Sequence, residues 1–213
     1  MLDCVASSHP RPGQATMPPV PPVSLDDLAE VVALVDGRQV LLRPIRPEDE
    51  AAHHTFAARI SREDAYFRFF QRLNPEALRR QMFRFTHVDY DREMAFVAIS
   101  VDADSSDTLG VVRVVKQADT RCAEFAVMVR SDLKGLGLGE NLTRKIIAYS
   151  RAAGMRGLFG QILVDNRRML RLVKKLGFTV ERVGGDVVEA HIDLQEEPGE
   201  RESLRAIVSQ WSV

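Results

Sequence analysis

The stretch "CAEFAVMVRSDLKGLGLGENLTRKIIAYSRAAG", residues 122–154, limits what this chain can fold into more than any other part of it. It reads as a strand, then a loop with Gly135, Gly137 and Gly139 on alternate positions, then a helix. Leu138, Leu142, Ile146, Tyr149 and Ala153 recur at helical spacing, and Gly154 marks the stop. "LFGQILV" follows as a strand, so the unit is a βαβ crossover with glycines at the helix start. The first backbone N–H groups of a helix have no internal acceptor. Glycine lets a ligand approach without a Cβ in the way, and the helix dipole adds partial positive charge. The unit therefore suits a phosphate-bearing ligand, the alternative being a plain turn into a helix.

Of two familiar phosphate-binding patterns, the first is excluded and the second disfavoured. A Walker loop ends in Gly-Lys-Ser/Thr, whereas Gly139 is followed by Glu140 and Asn141. A dinucleotide fingerprint is G-x-G-x-x-G early in a parallel unit; here the spacing is G-x-G-x-G after three antiparallel-looking strands.

The rest of the chain supplies the surroundings. "RQVLLRPI" reads as a strand. Pro47 opens a helix whose first turn carries Glu48, Asp49 and Glu50, the sign the dipole favours. Ser61 and Asp64 resemble a capping box opening "SREDAYFRFF", and Asn74 with Pro75 starts "NPEALRRQMFRF". "MAFVAISV" and "LGVVRVVK" flank a polar turn. "NRRMLRLVKKLG" reads as a helix, and "FTVERV" with "VVEAHIDL" as a closing hairpin. The expectation is a mixed α/β (α+β) domain over residues 24–195, with a mostly antiparallel central sheet, helices on both faces and one βαβ crossover. Residues 1–23, rich in Pro, Ser and Ala, read as a disordered tail, and residues 196–213 as an extension that includes the helical-looking "RESLRAIVSQW".

Charge and cysteine content narrow the function. The net charge of −1 gives no basic footprint for nucleic acid. No run approaches the ~18 apolar residues of a membrane span, and the first residues lack the basic-then-apolar order expected of a secretory signal. Cys4 and Cys122 make neither a disulfide framework nor a zinc spacing, and the histidines form no metal spacing. A cytoplasmic protein without a metal is the expectation.

The sequence resembles the GNAT acyltransferases. "DLKGLGLGENLTRKII" is similar to their motif A, Q/R-x-x-G-x-G/A, which binds the pyrophosphate of acetyl-CoA. "VDNRRMLRLVKKLGF" resembles the next motif, an Asn opening a helix that ends in Leu-Gly-Phe. "LLRPIRPEDE", "YFRFF", "DYDREMAFVAI" and "AEFAVMVR" resemble the acetyltransferase domain of bacterial protein-lysine acetyltransferases, and the likeness covers about residues 38–195. It implies a GNAT fold with a splayed strand pair holding acetyl-CoA. Val127, Met128 and Val129 are expected to offer backbone groups to the pantetheine arm. Lys134 and the loop Gly135, Leu136, Gly137, Leu138, Gly139 and Glu140 are expected to receive the pyrophosphate, with Asn166 across the gap. Arg130, Arg167 and Arg168 are candidates for the remaining phosphate charge, or simply solvated cations. The acceptor implied is a lysine on a protein, an acyl-CoA synthetase being the first to try; the alternatives are acylation of a small-molecule amine and an acyl-CoA-binding regulatory module without turnover.

Two positions depart from the family pattern. Lys134 stands where Gln or Arg is usual, and Val173 where many members carry a Tyr that protonates the leaving thiolate. Within residues 1–37 no fused nucleotide-binding regulator is expected.

Glu124 is the expected general base. Strand alternation puts Cys122, Glu124, Ala126 and Met128 on one face, and a carboxylate buried among apolar groups is costly unless paired or used. A lysine amine ordinarily titrates near 10.4, so freeing it at pH 7 costs about 4–5 kcal/mol. A partly desolvated Glu124 can take that proton directly or through water. The structural alternative is a cross-strand salt bridge from Glu124 to Arg113 or another cation. An acyl-cysteine route through Cys122 is a further option. His53 and His54 are expected on a solvated helix face. The cluster His87, Asp89, Tyr90, Asp91 and Glu93 either shapes an acidic acceptor site or makes caps and edge pairs with Arg92.

Overall fold

The computed structural model describes residues 24–72, 74–101, 107–118 and 120–195. The expected tail (1–23) and C-terminal extension (196–213) lie outside these residues. The strands are β1 (Glu30–Ala33), β2 (Gln39–Pro44), β3 (Glu93–Ser100), β4 (Thr108–Lys116), β5 (Cys122–Val129), β6 (Gly157–Leu163), β7 (Thr179–Gly184) and β8 (Val187–Asp193). They form one sheet in the order β1-β2-β3-β4-β5-β6-β8-β7. Every pairing is antiparallel except β5 with β6. The helices are α1 (Glu50–Ala58), α2 (Arg62–Phe69), α3 (Pro75–Thr86), α4 (Leu138–Ala152) and α5 (Arg167–Lys175).

The helices cover both faces, as the pattern predicted. Leu138, Leu142 and Ile146 of α4 and Val173 of α5 join Val112, Val114 and Phe125 in the main core. Gly110 on β4 makes room for α4: a Cβ there would meet Leu142 Cδ1 at 2.9 Å. On the opposite face His53 and Phe56 of α1 and Phe85 of α3 gather over Val111, Arg113, Ala126 and Met128.

β1 is the strand the sequence reading missed. It is short and mostly exposed, and its partner β2 turns back through Asp36 and Gly37. Gly37 has φ 86°, which a side chain would oppose. The Asp-Gly pair between apolar runs was the available signal.

β5 and β6 pair over three positions only, ending at Glu124 opposite Phe159. Beyond them the strands part, while β5 stays paired to β4 as far as Val129. Gly160 is the first residue of β6 past the last pair. A Cβ on it would lie 2.9 Å from the Phe125 carbonyl oxygen and 3.0 Å from Phe125 Cε1.

His53 contradicts the expectation of a solvated histidine. It is 1% exposed, and its Nδ1 has no hydrogen-bond partner. Its ring lies 5.4 Å from Phe56 and 6.4 Å from Phe85. Burial, followed by the nearby Arg113 charge, pushes its pKa down to about 4. In the unfolded chain the imidazole titrates near 6.5. The unfolded state therefore binds the extra proton between those values, so this stability is complete above pH 6.5 and lost as pH falls towards 4. Acidification from pH 7 to 5 is expected to cost about 2 kcal/mol through this group, read as a fall in Tm. His53→Leu is expected to flatten that slope.

Candidate functional site

A cleft of about 1130 Å³ opens where β5 and β6 part. Val127, Met128, Val129, Lys134, Gly135, Gly137, Leu138, Gly139, Glu140 and Asn166 line it, and so does Glu124. The sequence candidates thus converge on one groove, apart from Arg130 and from Leu136, which packs against the core while its carbonyl accepts from Val35 N–H at 3.1 Å.

The glycine loop forms one end. Gly135 and Gly137 have φ 85° and 86°, and Gly137 is the N-cap of α4. Among the described residues no acceptor faces the amides from Gly135 to Glu140; helical bonding begins with Asn141 N–H to Gly137 O at 3.0 Å. Six successive donors without acceptors at a helix start make an anion cradle. This fits a diphosphate.

The side chains around that cradle are only partly as expected. Lys134 reaches the cleft, but its ammonium is ion-paired with Asp64 of α2. Asp64 also accepts from Ser61 Oγ at 2.8 Å and Ser131 Oγ at 2.5 Å. Lys134 first, then the two hydroxyls, hold the carboxyl below its usual range against the upward push of burial. Ser61 is the N-cap of α2, as predicted, through Asp64 N–H at 3.1 Å. The return arm of the capping box is replaced, because Ser61 N–H donates to Ser131 Oγ at 2.8 Å. Asp64 thereby ties α2 to the loop before α4.

Arg130 does not reach the cleft. It is 8% exposed and forked onto Asp132 at 3.0 and 2.7 Å, so it cannot serve as a phosphate ligand. Arg167 and Arg168 do line the cleft, joined by Arg171, which the sequence reading passed over. Three positions on one turn of helix is the spacing that puts Arg168 and Arg171 side by side. The Glu140 carboxylate is neutralised by Lys175 at 2.6 Å and Arg144 at 2.9 Å, so it does not oppose an anion at the loop. Asn166 caps α5 through Met169 N–H at 3.1 Å.

The strand wall has a parity that sequence left open. Arg130 N–H donates to Leu109 O at 2.9 Å and Gln117 N–H to Cys122 O at 3.0 Å, so even-numbered backbone groups of β5 face β4. Arg156 N–H donates to Arg121 O at 2.7 Å, so the odd-numbered ones face β6. Past the last pair, Val127 and Val129 present their N–H and C=O groups to the gap. Met128 lends its side chain to the site, while its backbone belongs to β4.

Glu124 sits at the other end, where the pairing stops. It is exposed, which corrects the expectation of a desolvated carboxylate. Its proposed structural partner is engaged elsewhere: Arg113 binds Glu93 at 2.5 Å and the Phe85 carbonyl. Arg68 of α2 lines the same cleft, near enough for the Glu124 charge to act on it. Cys122 is buried and is not a free thiol, which removes the acyl-cysteine route. Val173 is fully buried in the core and cannot act on a leaving group.

The His87–Glu93 cluster does not line the cleft. Tyr90 donates to the Ile45 carbonyl, Asp89 accepts from Asp91 N–H at 3.1 Å, and Glu93 holds Arg113. Its role is structural, with Arg113 in place of the anticipated Arg92. No group of side chains suited to a metal occurs among the described residues, and no helix there is long and apolar enough to cross a membrane.

A splayed parallel pair, a cradle of free amides and a carboxylate at the far end define an acyl-transferring class of fold. The family model for the acetyltransferase (GNAT) domain matches residues 39–179, and the chain belongs to that family. It is 34% identical over 152 residues to an acetyltransferase of Pseudomonas aeruginosa, covering 71% of this chain and 81% of that one. The GNAT domain of S. lividans PAT superposes with a TM-score of 0.69 at 26% identity, over 78% of this chain and 97% of that one. A Vibrio cholerae spermidine N-acetyltransferase, solved with CoA and spermine, shares the fold: TM-score 0.58, 18% identity, 73% of this chain and 95% of that one.

Proposed function

We propose that this GNAT acetyltransferase uses acetyl-CoA to acetylate lysine side chains of proteins, by direct transfer with Glu124 as general base. The observation that carries the reading is the continuity of the cleft: it runs from the free amides of Gly135–Glu140, along Val129 and Val127, to Glu124. The loop and the α5 arginines would hold the phosphates. Val127 and Val129 would pair with the pantetheine arm as a short extra strand does. Bound acetyl-CoA supplies an acetyl thioester at the Glu124 end.

The chain's own groups then do three things. Glu124 accepts the ammonium proton of the acceptor, directly or through water, since its exposed carboxylate is reachable from solvent. The Val127 N–H, turned into the gap, would donate to the oxyanion. The thiolate, with a pKa of ~8.5, takes its proton from water in the open cleft, because Val173 offers none. The likeness to S. lividans PAT favours a protein acceptor. The likeness to spermidine N-acetyltransferase keeps a small amine as second reading. Residues 24–195 are the proposed catalytic domain, in a cytoplasmic protein whose acceptors include an acyl-CoA synthetase.

The test combines binding and product analysis. Acetyl-CoA is expected to raise the Tm, and mass spectrometry is expected to find new acetyl-lysines on an acyl-CoA synthetase. Acetylation of polyamines but of no protein would establish the second reading. No Tm shift and no acetylation would leave neither standing.

A further inference from the structure

Arg68 is a cation without an anion of its own. Among the described residues it makes no hydrogen bond and no ion pair. Its guanidinium carbon lies 5.2 Å from the ring centre of Phe69 and 5.9 Å from that of Phe85. It stands where the large cleft meets a small cavity of about 20 Å³ beside His53, and lines both. Burial, and then the like charge of Arg113, pulls its pKa down, and Glu124 alone pulls it up. Arg113, the next cation inward, is already satisfied by Glu93 and the Phe85 carbonyl.

An anion arriving at such a group meets a partly desolvated fork held by aromatic rings, where charge-assisted bonds are stronger than in water. Arg68 lies over Ala126 and Met128, and the charges that act on it are Arg113 and Glu124, none of them from the glycine loop that is proposed to hold the phosphates of acetyl-CoA. Glu124 is not a dedicated counter-ion either, since no Arg68–Glu124 ion pair forms. What reaches this end of the cleft is the acceptor.

We propose that Arg68 forms an anion subsite for the acceptor, which carries a carboxylate close to its amine: the amine faces Glu124 and the carboxylate binds the Arg68 fork. The inference rests on the acetyltransferase reading with Glu124 as base. The carboxylate belongs to a small amino acid or to an acidic neighbour of a protein lysine.

Two pairs of acceptors test this. One is Nα-acetyl-lysine against its amide; the other is a lysine peptide flanked by Asp against the same peptide with Asn. The intact protein is expected to prefer the carboxylate member of one pair or both by about ten- to a hundredfold in kcat/KM. Arg68→Met is expected to lose the preference and Arg68→Lys to keep part of it, both with the acetyl-CoA KM unchanged. Preference in the first pair alone assigns a small acceptor, and in the second alone a protein. The same comparison is made without turnover, from the Kd of Nα,Nε-diacetyl-lysine and of its amide for the CoA-loaded protein. Carboxylate preference there without turnover keeps the subsite and refutes Glu124-driven acetylation. Equal treatment of both members throughout, or a preference that survives in Arg68→Met, overturns the proposal.

Discussion

Glu124→Gln is expected to lower kcat by about 10²–10⁴-fold while leaving the acetyl-CoA-induced rise in Tm intact. The two readouts separate because Glu124 stands at the far end of the cleft from the phosphate loop. Substituting an exposed side chain with an isostere costs little stability. On the proposed reading, an amine such as lysine would reach the thioester protonated at pH 7, and Gln could not take the proton. Activity in the variant is expected to recover as pH rises towards the lysine pKa, since solvent then removes the proton. Full activity of Glu124→Gln at pH 7 would show that another group is the base.

Gly160→Ala is expected to strike stability. A Cβ at 2.9 Å from the Phe125 carbonyl oxygen meets backbone that β5 holds in place through its ladder with β4. Overpacking of this kind costs about 1–3 kcal/mol, read as a fall in Tm of roughly 2–12 °C for a chain of this size. Gly135→Ala makes the contrast. Nothing lies within 4 Å of its Cβ, so the cost is confined to its φ of 85° and to the anion cradle. Acetyl-CoA affinity is expected to suffer more than Tm. A Gly160→Ala protein as stable as the parent would mean that the strands part for some other reason.

The parts of this site that were legible in the sequence are local. The glycine loop, the Ser61 cap of α2 and the amphipathic α4 depend on residues within a few positions of each other. So does the face alternation of β5, which put Glu124 and Met128 on one side. What was not legible depends on distant partners. Lys134 finds Asp64 seventy residues away, and nothing in either neighbourhood announces it. His53 is buried because α1 and α3 close over it, which a two-histidine run on a helix cannot reveal. Glu124 is exposed because the neighbouring strand stops pairing beside it; apolar flanks alone suggested burial. The β5 backbone parity followed only once three hydrogen bonds at its ends were known.

The brevity of the β5–β6 pairing reaches beyond catalysis. With three residue pairs at the junction, the sheet is two blades, five strands and three, joined at a narrow waist. Such a waist has the fewest ladder bonds of any strand junction in the sheet. A ligand lying along it works as a rivet between the blades. By mass action, such a ligand at a hundred times its Kd adds about 2.7 kcal/mol to the folded state. The supply of cosubstrate would then govern how long each molecule of the enzyme survives, as well as how fast it works.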